Sequence, residues 1–220
     1  MVSLRFLAIT TKQKILPENG IGCLRSLRYL SISKSANLET FLLGKQNLTN
    51  LRTLIITYCE GLVSLMPFVK DLTSLQTLVI VECEKLVLTD GIDNQESGLR
   101  LRSMLFRELP QLESLPTWLQ ESAKSLQFLS IEHCPNFTDF PEWLSTFASL
   151  KRLEIVGCPK LLSLPSSMLH LRALKKLRIA KCPVLADRCS FETGVDWPLI
   201  EHVAEFLLDQ FKYRPFSTTR

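Results

Sequence analysis

The chain has 220 residues, 46% of them apolar, with a formal net charge of +4. That is apolar material enough for a sizeable core, which excludes a wholly disordered chain, and the modest charge carries no general affinity for polyanions. No apolar run reaches the roughly 18 residues of a membrane span, and Met1 to Thr10 already match a repeated unit instead of a cleavable leader.

In chain order, Leu4, Leu27, Leu51, Leu75, Leu101, Leu126, Leu150 and Leu174 open eight copies of that unit, at spacings of 23, 24, 24, 26, 25, 24 and 24 residues. Within one copy, Leu150, Leu153 and Ile155 alternate with Arg152 and Glu154, the period-2 signature of a short strand with one buried face. Cys158 then turns the chain, Leu161 and Leu164 point inward, Pro165 limits φ, and Met168 and Leu171 follow at helix-like offsets. A period near 24 around an LxxLxI core predicts an α/β leucine-rich-repeat solenoid. Its expected form is a curved horseshoe of about eight repeats with a parallel concave sheet and a C-terminal helical cap. One coil buries too little alone, so stability must come from stacking on its neighbours.

The departures from the period are informative. Leu88 to Gly98 lengthens one copy and is expected to form a mobile convex loop. After Leu185 the leucine rhythm stops. Trp197, Ile200, Val203, Ala204, Leu207 and Phe211 then recur every three or four residues, and Pro198 suits a first helical turn. The expected domains are the solenoid over residues 1–185, a capping segment with a helix from about Leu199 to Phe211 over 186–212, and a disordered tail over 213–220. Glu201, Glu205 and Asp209 on the polar side of such a helix disfavour a membrane-surface role. The triplets Asn47-Leu48-Thr49 and Asn136-Phe137-Thr138 read as incidental, not as glycosylation sites.

Five of the seven cysteines, Cys59, Cys83, Cys134, Cys158 and Cys182, occupy one repeat position, which Ser35, Leu109 and Lys12 fill in other copies. No CxxC or HxxxH spacing accompanies them, so they read as small buried thiols donating to turn carbonyls, and no metal is expected. Cys23 and Cys189 lie outside that slot and read as the less constrained thiols. His133, His170 and His202 fall at unrelated repeat positions, with His133 a solvated turn residue, and no phosphate-binding glycine loop occurs. The chain therefore reads as neither an enzyme nor a cofactor protein.

Binding is expected on the concave sheet. Its outward column runs Ala8, Ser31, Ile55, Val79, Leu105, Ser130, Glu154, Arg178, with Tyr58 and Phe128 in neighbouring columns. The aliphatic centre of Ile55, Val79 and Leu105 predicts a contact patch, although β-propensity or an intramolecular partner gives the same pattern. Toward the end Lys151, Arg152, Lys175, Lys176, Arg178 and Lys181 form a basic surface. Without interleaved aromatics it reads as a solvated face before a nucleic-acid site, and it could also meet an acidic protein. The predicted contact residues are thus Ile55, Tyr58, Val79, Leu105, Phe128, Arg152, Glu154 and Arg178.

The repeats written LxxLxIxxCPxLxxLP, as in Leu126 to Pro141 and Leu150 to Pro165, resemble those of plant intracellular nucleotide-binding immune receptors. Arg188-Cys189, Gly194, Asp196-Trp197, Ile200 and His202 are similar to the closing RCxxxxGxDWxxIxH pattern of their coiled-coil class. The resemblance covers nearly the whole chain, while the nucleotide switch and N-terminal signalling domain of such receptors lie outside it. It implies a cytoplasmic sensor region that binds a pathogen effector or a guarded host protein and restrains the receptor's own nucleotide-binding domain. The rival readings are a stand-alone intracellular scaffold or adaptor, and an extracellular ectodomain. The ectodomain is disfavoured because such repeats typically show an Asn and GxIP pattern, whereas this chain shows Cys-Pro and Leu-Pro.

Overall fold

The computed structural model describes residues 3–16, 21–41, 48–88, 98–209 and 211–213. Nine strands run parallel in one sheet: β1 (Phe6–Ile9), β3 (Tyr29–Ser33), β5 (Thr53–Thr57), β6 (Thr77–Val81), β7 (Ser103–Arg107), β8 (Phe128–Glu132), β9 (Arg152–Val156), β10 (Lys176–Ala180) and β11 (Glu205–Leu208). A tenth, β12 (Phe211–Tyr213), pairs antiparallel with β11 and ends the order. Two-residue strands β2 (Ile15–Leu16) and β4 (Thr40–Phe41) form a small second sheet. The molecule is a leucine-rich-repeat solenoid.

Each coil follows from its sequence. The inward residues of the strands, such as Leu54 and Ile56, Leu78 and Ile80, Leu153 and Ile155, are fully buried, as are the opening leucines from Leu27 to Leu150. Burying one such side chain contributes about 1.5–3 kcal/mol, and each coil supplies several. Leu4, the opening leucine of the first coil, is 41% exposed because no coil covers its outer side in the described residues. On the convex side Pro116, Pro141 and Pro165, all in extended backbone, hold the chain before short 3-10 helices at Thr117–Ser122, Glu142–Thr146 and Ser166–His170. One coil instead has a five-residue α-helix, α1 (Met66–Lys70).

The turns after β3 and β5 to β11 repeat one device. Lys34, Tyr58, Glu82, Glu108, His133, Gly157, Lys181 and Asp209 all have positive φ, between 48° and 65°. For a residue with a Cβ this conformation costs about 1–2 kcal/mol. Part of the offset is visible: the Tyr58 N–H donates to Val81 O at 3.0 Å, Glu82 to Arg107 O at 3.0 Å, and Glu108 to Glu132 O at 2.9 Å. The next residue is the cysteine slot. Its thiols donate to the carbonyl two residues back, Cys59 to Thr57 and Cys83 to Val81 at 3.5 Å, Cys182 to Ala180 at 3.3 Å, and Ser35 Oγ makes the same bond to Ser33 O at 3.1 Å. Burial pushes the Cys134 thiol up to about 11.

The C-terminal segment differs from expectation. Residues 199–211 do not form the anticipated helix: a single 3-10 turn, Trp197–Leu199, is followed by β11, and helix α2 (Pro183–Arg188) is the helical part of the cap. The open edge of β10 captures the chain as a ninth parallel strand. The N–H groups of Glu205 and Asp209 donate to Lys175 O and Ile179 O, and Phe206 and Leu208 turn inward. The assumed solenoid boundary at residue 185 falls inside α2, and Tyr213, assigned to the tail, belongs to β12. Cys189 is not loosely placed either. It is fully buried, and desolvation pushes its thiol up to about 12. Cys23 is exposed. The lengthened loop at 89–97, Asn47 and the tail 214–220 lie outside the described residues.

Candidate functional site

The predicted outward column is reproduced residue for residue by the strand register: Ala8 beside Ser31, then Ile55, Val79, Leu105, Ser130, Glu154 and Arg178, and it continues to Leu207. Ile55, Val79 and Leu105 are adjacent on three parallel strands, and all three are half-buried. They lie flush with the sheet, neighbours in register and flanked by Thr53, Thr57, Thr77 and Val81, each keeping part of its surface open.

Tyr58 sits at the strand-end edge of this strip, 45% exposed, its position fixed by the positive-φ turn. Beside it lies a groove of about 520 Å³ along the edge of β5 to β8, lined by Tyr58, Glu60, Glu82, Glu84, Glu108 and His133 among others. Glu108 accepts from Arg107 Nε at 3.3 Å. No ion pair forms to Glu60, Glu82 or Glu84 among the described residues. The His133 ring forms one wall by packing over Gly157, where an added Cβ would come within 2.5 Å of Nδ1. Sequence reading placed Tyr58 but missed the glutamates. Glu82 and Glu108 occupy the positive-φ turn just before the cysteine slot, and Glu60 and Glu84 lie just after it.

Phe128, Arg152, Glu154 and Arg178 come together on β8 to β10 with a character other than expected. The Arg152 guanidinium is ion-paired with Glu154 and lies 5.3 Å from the Phe128 ring centroid. Glu154, only 6% exposed, is shielded by this lid. Arg152 is therefore no free cation, and Lys176 is likewise bound to Glu205 at 3.1 Å. Of the basic surface, Lys151, Lys175, Arg178 and Lys181 carry no ion pair among the described residues, and Lys151 Nζ donates to Gln127 Oε1 at 3.4 Å. Ser130 Oγ donates to Glu132 Oε1 at 2.8 Å, so a polar, internally bonded patch abuts the aliphatic strip.

The described residues hold no group of three or more His, Cys, Asp or Glu placed to bind a metal. No described helix is long and apolar enough to cross a membrane. Asn136 donates from its amide to Pro110 O at 2.8 Å and accepts from Lys160 Nζ at 2.7 Å, so its side chain is a strut between coils.

No protein-family model matches the chain, and no curated protein matches it. Solved structures do. The leucine-rich repeat domain of the type III effector XopL aligns over 93% of this chain and 76% of its own at 22% identity, with a TM-score of 0.63. TLR13, in a complex with ssRNA13, aligns over 81% of this chain and 29% of its own at 18% identity, with a TM-score of 0.52. A leucine-rich-repeat protein of Leptospira interrogans aligns over 90% of this chain and 58% of its own at 22% identity, with a TM-score of 0.47. At 22% identity the XopL alignment shows a likeness of fold alone, and the fold is that of a leucine-rich-repeat domain.

Proposed function

We propose that this chain is the protein-recognition and autoregulatory leucine-rich-repeat region of an intracellular plant immune receptor, sensing a pathogen effector or a guarded host protein with its concave sheet. The observation that carries recognition is the flush aliphatic strip of Ile55, Val79 and Leu105, which is uncovered in the described residues and edged by exposed Tyr58. Phe128, Arg152, Glu154 and Arg178 extend the same face. The receptor class rests on the LxxLxIxxCPxLxxLP repeats and on the resemblance of the ending from Arg188 to His202.

In this reading the region performs no chemistry and needs no cofactor. It shifts a population: a partner that prefers the conformation in which the repeats release the nucleotide-binding domain draws the receptor into it. The test is the coding sequence upstream of Met1 in the native transcript. A continuous frame encoding a GxxxxGK[ST] loop is expected, and a complete frame without any nucleotide-binding domain would establish the stand-alone scaffold instead.

A further inference from the structure

The concave face is not uniform: its uncovered aliphatic strip borders the glutamate-lined groove on the strand-end side. Ile55, Val79 and Leu105 each lie three residues before a groove residue, Tyr58, Glu82 and Glu108, a distance of about 10 Å along the strand. Strip and groove are thus two halves of one surface spanning β5 to β7. Resting on the reading of the concave sheet as a recognition face, we infer that it docks a segment of another protein whose aliphatic side chains cover the strip while a lysine or arginine enters the groove beside Tyr58.

Charge complementarity selects this occupant. Four glutamates line the groove against one lysine, Lys85. Glu60, Glu82 and Glu84 have no cationic partner among the described residues, whereas Arg152 and Lys176 elsewhere on the face are already paired. An ammonium or guanidinium group would gain charge-assisted hydrogen bonds there, and the exposed Tyr58 ring offers a cation a second favourable surface. A nucleic-acid backbone or an acidic peptide would instead meet like charge. The aliphatic half fixes where the segment lies, and the cation fixes its direction.

The test is a ¹H–¹⁵N NMR titration of the full chain with two capped synthetic peptides, Ser-Leu-Ser-Leu-Ser-Lys-Ser and its counterpart with Glu in place of Lys. An extended peptide puts both leucines and the charged residue on one face. The lysine peptide is expected to shift the amides of Val79, Leu105, Tyr58, Glu82 and Glu108. The glutamate peptide should bind at least tenfold more weakly, and the double variant Glu60→Gln, Glu82→Gln should reduce lysine-peptide affinity by a similar factor. Equal or tighter binding of the glutamate peptide on the same strip would overturn the cationic requirement and leave concave recognition standing. Absence of any concave shift with either peptide would overturn both readings, and a single-stranded RNA oligonucleotide shifting the same amides would overturn the partner class.

Discussion

Arg188 grips Asp196 with two hydrogen bonds, Nε to Oδ2 at 3.0 Å and Nη2 to Oδ1 at 2.7 Å, and the same Oδ2 accepts the backbone N–H of Leu164 at 3.0 Å. Asp196 is 3% exposed, so one carboxylate ties the cap to a coil 32 residues earlier. The other residues of the ending serve the same junction. Gly194 lies where a Cβ would come within 2.2 Å of Arg188 O, Trp197 packs edge-on to Phe191 at 4.8 Å, and Cys189 and Ile200 are fully buried. The pattern from Arg188 to Ile200 is therefore a closure for the last coil, and His202 beside it is exposed.

Asp196→Ala leaves the Leu164 N–H without its acceptor and Arg188 without its counter-ion. It should lower stability in urea unfolding by about 1–3 kcal/mol. Arg188→Ala should destabilise as well, because it leaves the buried Asp196 carboxylate with the Leu164 N–H but no counter-ion. Equal and negligible effects would show that the cap does not depend on this pair.

Gly157 is the one glycine in the positive-φ series, with φ of 65°, and His133 packs over it. Gly157→Ala combines an unfavourable backbone with a side chain in the space of the imidazole. A loss of about 1–2 kcal/mol is expected from the backbone alone. Combining it with His133→Ala should recover the steric part, so a double-mutant cycle should give a non-zero coupling energy. Strict additivity would contradict the contact.

The thiols make a chemical prediction. Cys158 and Cys182 share a hydrogen bond that lowers Cys182 and raises Cys158, so the two thiols titrate as a pair. Both sulfurs are nonetheless shut away, as are Cys134 and Cys189. Native protein in iodoacetamide at pH 8 should take up label at exposed Cys23, and the other six cysteines should react only on unfolding. For Cys134 and Cys189 the folded pKa, about 11 and about 12, lies above the unfolded value near 9, so their contribution to stability is intact below pH 9 and is lost as pH rises toward 11–12. Peptide mapping and urea unfolding between pH 8 and 11 check both halves. Rapid native labelling of Cys134, or stability that rises over this range, would contradict the buried ladder.

The repeat made most of this legible. A leucine every 24 residues and two-residue alternation fixed which side chains face in, and parallel stacking then brought equivalent residues into columns. The cap was not legible because its apolar residues obey both patterns. Trp197, Ile200, Val203 and Leu207 read as a helical stripe, whereas in β11 it is Phe206 and Leu208 that turn inward and Leu207 that faces out, and only the unpaired edge of β10 decides for a strand. The lid of Arg152 on Glu154 was hidden for a related reason. Residues two apart on a strand share a face, so the same spacing that places both in the concave columns also lets them neutralise each other. Glu82 and Glu108 went unread because positive φ is signalled in sequence mainly by glycine, which appears at only one of those turns, and Glu60 and Glu84 because they follow the cysteine slot, outside the alternating strand.

Adjacent residues of each strand face opposite sides, one into the core and one onto the concave face proposed for recognition, and Leu78 and Val79 are such a pair. Leu78 is fully buried, and Val79 is a half-buried member of the outward strip. In equilibrium urea unfolding, Leu78→Ala should lower stability by about 2–5 kcal/mol through the cavity it leaves. Val79→Arg should change it by no more than about 1 kcal/mol, the scale of the cross-strand contacts it gives up. If Val79→Arg unfolds the protein while Leu78→Ala is tolerated, the faces are reversed and Val79 belongs to the core, not to a concave recognition surface.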